Sequence, residues 1–315
     1  MKWITALFST VVLSAQDPQP TPTAAPGDAE RPAPASPTSA GTASRAPDLE
    51  AFVQRLDAAH HPNGAVAPIE AFTGALELHL LDASAEQRGQ VDLDVRFLEW
   101  RQPGKSRVRP LLRYQVLEAG KPIVRGRDRF GPWQLVQGKP TDLDDRLSQD
   151  RDECERHTNL ARQLLRFLDP AAVVRGLQRP SSVRDEPLLI ERGVRVECTT
   201  IEGDLAAFPL LRQADDETAV HVKVFATKAE GRLLAVDAWP LRDGKVEPTR
   251  GERVLLLDLH ERDGVLVPRE VKHLFRDEAG KLRLQTRAVL TKLSLRPTLG
   301  VDDFDRTREK ADSPK

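Results

Sequence analysis

TDLDDRLSQDRDECERHTNLARQLLRFLDPAAVVRGLQR, Thr141 to Arg179, is the longest stretch of helical spacing in this chain, and strand-like runs lie on both sides of it. Leu143 and Leu147 stand four apart, and Cys154, Ala161, Leu164, Leu165 and Leu168 recur at spacings of three, four and seven. Asp, Glu, Arg and Gln fill the gaps, so the segment carries one apolar stripe. Thr141 and Asp142 suit an N-cap, and Asp144 and Asp145 suit the positive end of the helix dipole. Asp169-Pro170 ends this helix and starts a shorter one through Val173, Val174 and Leu177, which fades at Arg179-Pro180. A helical pair inserted between strands covers something, either an ordinary core or a ligand.

Working outward, the two ends do not read as folded. Met1-Lys2 is a small positive region, Trp3 to Leu13 is an apolar run of eleven residues, and Ser14 and Ala15 are small. That pattern over residues 1–15 is a secretory signal peptide, too short to span a bilayer. Cleavage after Ser14, with Val12 at −3, and cleavage after Ala15 both fit, and an uncleaved anchor is the alternative. Residues 16–47 are rich in Pro, Ala, Thr and Ser. They hold too little apolar surface to offset ordering entropy, so they read as a disordered spacer reaching at most on the order of 90 Å. Residues 305–315 form a charged tail, and fraying is expected from Asp302 onward.

The block between, 48–304, is about 255 residues without a second linker, which suits one β-rich domain. The formal net charge is −1 with both signs mixed throughout, which argues against a nucleic-acid binder. Cys154 and Cys198 are 44 residues apart. In an oxidising compartment they fit one disulfide worth roughly 3–4 kcal/mol; otherwise they are two buried thiols on apolar faces.

Asp48 to Ala59 has Leu49, Phe52, Val53 and Leu56 on one helical face. His60-His61-Pro62-Asn63-Gly64 breaks it. The adjacent histidines have no companion ligands, and a structural loop is the expectation. Phe72 to Leu80, then Val91 to Phe97, alternate as strands. At Leu98 and Trp100 the apolar face switches, as a bulge would produce. Gln102-Pro103-Gly104-Lys105 is a turn. Val108, Leu112, Tyr114 and Val116 alternate with polar residues, and Pro122 to Arg129 and Trp133 to Gln137 follow. Beyond the helices come strands at Val194 to Thr200, Val220 to Ala226, Arg232 to Trp239, Arg253 to His260, Val265 to Phe275 and Leu282 to Leu295. Asp243-Gly244 and Asp263-Gly264 are hairpin signals. The class is α+β, mainly β: about eleven strands in an antiparallel meander that curls at this size. With aromatic content at 5%, Leu and Val line most of a wide interior, which suits acyl chains.

Three short motifs resemble the LolA-like family of outer-membrane lipoprotein carriers and lipoprotein-sorting relatives. They are Gln102 to Val108, like the family's Pro-Gly-Lys-aromatic-Arg turn; Asp128 to Trp133, like its Asp-Gly-x-x-x-Trp hairpin; and Leu290 to Leu293 with Val301 to Phe304, like its closing strand and terminal Asp-x-x-Phe. The element order is similar over Asp48 to Phe304. The resemblance implies an unclosed barrel with a helical lid at 141–179. It also implies an Arg that touches the lid just before the early Pro. This chain has Gln102 there and Arg101 one position earlier, and Arg129 replaces the hairpin Gly.

The first expectation is therefore a periplasmic or otherwise exported envelope protein that binds acyl chains or an acylated lipoprotein. The ligand would lie against Leu76, Leu78, Val95, Val108, Leu112, Val222, Val224 and Leu284 of the strands and Leu164 and Leu168 of the helix. The second is a packed structural or protein-interaction module of the envelope. An enzyme is the third. No G-x-S-x-G, H-E-x-x-H, P-loop or Cys/His metal spacing is present, so no catalysis, metal or cofactor is expected. The reading also expects a monomer, with an envelope protein as an eventual partner.

Overall fold

The computed structural model describes residues 45–64, 67–81, 87–105, 108–118, 121–143, 149–190, 193–211 and 219–306. The expected signal peptide and all but the last residues of the expected spacer lie outside them, as do 307–315.

The chain forms α1 (Arg45–His60), then β1 (Ala71–Leu81), β2 (Gln87–Arg101), β3 (Val108–Glu118), β4 (Lys121–Arg127), β5 (Pro132–Val136) and β6 (Lys139–Asp142). The helices α2 (Gln149–Leu168) and α3 (Pro170–Arg175) come next. Then follow β7 (Arg184–Leu189), β8 (Arg195–Leu205), β9 (Val220–Thr227), β10 (Leu233–Arg242), β11 (Lys245–Val246), β12 (Glu252–Arg262), β13 (Val265–Arg276) and β14 (Leu282–Leu295). All pair antiparallel in the order β6-β5-β4-β3-β2-β1-β14-β13-β12-β10-β9-β8-β7, with β11 on β10. The path does not close, since β6 and β7 are its two ends. The chain passes from β6 to β7 through α2 and α3, so the helical insert connects the two open edges of the sheet.

The described residues hold fourteen strands rather than about eleven. The additional three are β6, β7 and β11. The expected helix start, Thr141-Asp142, belongs instead to β6, because Gln137 and Gly138 have φ of 53° and 73° and form a left-handed two-residue turn that pairs Lys139–Asp142 with β5. Thr141 and Asp142 are thus strand residues, not caps. Arg184–Leu189 is an edge strand whose charges and Pro187 mask the alternation. The Asp-Gly hairpins form as expected, with Asp243 and Asp263 at φ 52° and Gly244 and Gly264 at 73° and 77°. Asp169 accepts a hydrogen bond from Ala172 N at 3.0 Å with Pro170 following it, which starts α3 as its sequence suggests.

One face of the sheet carries the helices. Phe52, Val53 and Leu56 of α1, Leu164, Leu165 and Leu168 of α2, and Val173 and Val174 of α3 join the inward residues of β1–β3, β8–β10 and β12–β14 in one continuous core. Alternation survives local irregularity because a bulge restores it. Phe72, Gly74, Leu76 and Leu78 of β1 face Leu295, Leu293, Leu290 and Ala288 of β14, with the register shift between Ala75 and Leu76. No bulge interrupts β2 at the expected place, Leu98 to Trp100; its register shift lies near its start, where Leu80 pairs with Gly89 and Leu81 with Gln87. Its pairing runs without a register shift through Phe97 and Leu98 to β1, and through Phe97, Leu98 and Glu99 to β3. The apolar face switches there because Leu98 and Trp100 lie half-buried on the outer side, which leaves Glu99 in the inward series after Leu93, Val95 and Phe97.

A smaller cluster of Leu188, Cys198, Phe225, Leu234, Ala235 and Leu255 packs on the other face. This separates the cysteines. Cys154 belongs to the core under the helices and its thiol donates to Gly126 O at 3.3 Å, while Cys198 lies in the outer cluster and its thiol donates to Val196 O at 3.5 Å. Both are free and buried, which corrects the disulfide expectation. The chain end is also better ordered than expected. Residues 301–303 form a turn of 3₁₀ helix, Phe304 is fully buried, and Arg306 is bonded to Asp128.

Candidate ligand cavity under the central helix

The position of α2 follows from its surroundings on several sides. It lies against β3, β4, β5 and β13. Arg125 of β4, itself almost fully buried, reaches Asp150 at 2.7 Å and Glu153 at 3.2 Å, and Arg127 pairs with Glu155. Glu99 of β2 accepts from Arg166 at 2.9 Å and lies 3.9 Å from Arg162. Toward the other half of the sheet, Gln163 Nε2 donates to Pro209 O at 2.5 Å and to Glu252 Oε1 at 2.7 Å. Glu252 Oε2 accepts from Leu211 N at 3.0 Å, and Asn159 Nδ2 donates to Leu210 O at 2.9 Å. These polar groups of one helix are thereby matched to fixed partners. The charged residues between the apolar positions of α2 are in part this network.

Between α2 and the inner wall lies a cavity lined by Phe72, Leu76, Leu93, Val95, Leu112, Tyr114, Val271, His273, Ala288 and Leu290 of the sheet. His157, Leu160, Ala161, Gln163, Leu164 and Phe167 of α2 complete it. Its free space is about 20 Å³, near what one water needs. No Lys, Arg, Asp or Glu is in the lining. Buried polar atoms without a hydrogen-bond partner in the lining include both ring nitrogens of His273, Nδ1 of His157 and Oε1 of Gln163. Burial lowers the His273 imidazole to about 3, so it is neutral at ordinary pH.

Leu76, Val95, Leu112 and Leu164 of the expected wall do line this cavity. Leu78, Leu168, Val222 and Val224 belong to the continuous core but not to the cavity. Val108 is only half-buried at the start of β3, opposite Arg101, and is a rim residue rather than wall. Leu284 pairs with Leu274, which packs on the outer cluster, because a register shift between His273 and Leu274 reverses the face. Arg101 is exposed at the end of β2; the β2 contact to α2 comes from Glu99. Sequence reasoning missed Glu99, Gln163 and the role of His273. The signal for Glu99 and His273 was a polar residue in a mostly apolar alternating series.

His221 of β9 lies with Nδ1 2.8 Å from Asp204 Oδ1. His60 accepts from Leu233 N at 2.9 Å and His61 Nδ1 lies 2.8 Å from Asp57, so both work as structural residues of the α1 end. Among the described residues no three His, Cys, Asp or Glu side chains converge as a metal site.

The described strands form an unclosed antiparallel sheet whose two edge strands are joined by helices seated on one face, the arrangement that the resemblance of the sequence to the LolA-like family implies. Similar solved structures include an outer membrane lipoprotein-sorting protein domain from Vibrio parahaemolyticus (12% identity, 84% of this chain and 98% of that one, TM-score 0.43). A LolA superfamily protein from Nitrosomonas europaea matches at 9% identity, 82% and 97% coverage and TM-score 0.42. A DUF1329 family protein from Desulfovibrio piger matches at 9%, 84% and 98%, with TM-score 0.45. No protein-family model and no curated protein matches the sequence.

Proposed function

We propose that this chain is a non-catalytic cell-envelope protein that binds an acyl chain or an acylated lipoprotein between α2 and the sheet. The observation that carries this reading is the cavity itself: uncharged, mostly apolar walls on one side, and on the other a helix that joins the two open edges of the sheet. An acyl chain needs apolar area without directional bonds, and each buried methylene contributes about 0.8 kcal/mol. A space of about 20 Å³ is the closed state. Entry requires α2 to move against its ion pairs with β2 and β4, a local opening of a segment tied to the rest by connecting loops. The apolar run at residues 1–15 and the Pro-rich stretch at 16–47 support export and a reach from the point of attachment or release.

The small free space also favours a second reading, an interaction module whose barrel is packed by α2. Native mass spectrometry with lipid extraction, on protein purified from its own envelope, separates them. Stoichiometric phospholipid, fatty acid or acylated peptide is expected for a carrier. A bare polypeptide mass, with no uptake of an apolar fluorophore, would leave only the packed module.

A further inference from the structure

We infer that the cavity under α2 holds its acyl ligand by a neutral group that both donates and accepts a hydrogen bond, a hydroxyl or an amide, seated on the His273 imidazole. The inference rests on the acyl-binding reading above and adds the chemistry of the ligand's polar end.

His273 projects from β13 between Val254 of β12 and Thr286 of β14, is completely buried, and uses neither ring nitrogen. A wall built only for packing gains nothing from such a residue, since leucine fills similar space without an unmet donor and acceptor. Gln163 repeats the pattern from the facing helix. Its amide nitrogen is committed to Pro209 O and Glu252, which fixes the amide orientation and leaves Oε1 unpartnered on the same cavity. A neutral imidazole offers one donor and one acceptor, and the Gln163 oxygen offers an acceptor. The complement is a group with both a donor and an acceptor. It is not an ionised one, because the lining has no cation, and a carboxylate or phosphate here would be a buried charge without a partner. Burial also keeps His273 from supplying that cation, holding it neutral down to about 3.

The test is displacement of N-phenyl-1-naphthylamine from the full chain by dodecan-1-ol, dodecanamide, dodecane and laurate at about pH 8, where laurate is ionised. The alcohol, the amide or both should displace at concentrations about tenfold below dodecane and laurate, and their ranking tells hydroxyl from amide. His273→Leu should lose that preference while binding dodecane as well as the parent. His273→Phe serves as a second apolar variant, and His273→Gln should keep most of the preference. Equal displacement by dodecane, dodecan-1-ol and dodecanamide, tightest binding of laurate, or a preference that survives His273→Leu would overturn the inference and leave acyl binding standing. No binding of the fluorophore or of any of the four compounds would overturn both.

Discussion

Arg306 closes on Asp128 with two hydrogen bonds, Nε to Oδ2 at 2.6 Å and Nη2 to Oδ1 at 2.8 Å, across 178 residues of sequence. The same Asp128 Oδ1 accepts from Phe130 N at 2.7 Å and Gly131 N at 3.1 Å, which shapes the tip of the β4–β5 hairpin. Arg306 also pairs with Asp142 of the edge strand β6. The chain end thus fastens one open edge of the sheet. Arg306, two residues past the motif that ends at Phe304, is thus bonded to the Asp128 hairpin, another motif that resembles the LolA-like family.

Removing Arg306 leaves a buried carboxylate with only its two backbone donors. Arg306→Ala should lower unfolding stability by about 3–5 kcal/mol in urea melts. Arg306→Lys should recover only part of it, because an ammonium cannot reproduce the two-pronged contact. A loss below about 0.5 kcal/mol for the alanine variant would mean that the contact is a surface pair in solution.

Glu99 is the β2 anchor of α2. Glu99→Gln keeps the shape and weakens the attraction to Arg166 and Arg162. Amide exchange in 149–168 should accelerate several-fold while exchange in β1 and β14 stays as it was. Uptake of an apolar fluorophore should quicken in parallel. Unaltered exchange across α2 would show that other contacts hold the helix.

Both thiols should be silent in the folded protein. Burial first, then the nearby Glu155 carboxylate, pushes Cys154 up to about 12, and burial raises Cys198 as well. Thiolate is the reactive form, so Ellman's reagent should find no thiol in buffer and both in urea, without added reductant. Absence of thiols in unreduced urea would instead indicate a disulfide.

Stability should fall on mild acidification. His60 and His273 are fully buried. Burial is the main cause that lowers them, to about 4 and about 3. Between those values and the ordinary value near 6.5 the unfolded chain binds more protons than the folded one. Their stabilisation is therefore complete above about pH 6.5 and is lost as pH falls toward the folded values. Roughly 2 kcal/mol per histidine should be gone by about pH 5. The urea midpoint should drop between about pH 7.5 and pH 5, and His273→Leu should flatten the drop. A midpoint level over that range would falsify the buried neutral state of these rings.

Much of the fold is legible without coordinates, and the reasons are local. The stripe of Ala161, Leu164, Leu165 and Leu168 commits α2 to one face because helical spacing repeats within a turn. The Asp243-Gly244 and Asp263-Gly264 turns are written in two residues each, since only a few residue types accept left-handed φ. Strand alternation in β1, β3 and β9 separates inward from outward residues for the same reason. Four of the ten expected wall residues, Leu76, Val95, Leu112 and Leu164, reach the cavity through that periodicity alone.

What escaped that reading depends on partners far away in the chain. The edge strands β6 and β7 are polar or interrupted by proline, because an edge needs no buried face. Leu284 was lost to a single register shift, which reverses every side chain beyond it. Glu99 and His273 looked like interruptions of apolar strands until pairing put one against the arginines of α2 and the other inside the cavity.

Sequence by itself determined the order of the helices and of eleven strands, the apolar face of the helices and of strands such as β1, β3 and β9, and the Asp-Gly turns, because helix, strand and turn preferences act over a few residues. Only the tertiary structure decided that β1 meets β14, that Cys154 and Cys198 lie on opposite faces of one sheet, and that Arg306 seals Asp128. Those outcomes are set by strand register and sheet closure, energies shared among residues that the chain keeps far apart until it folds.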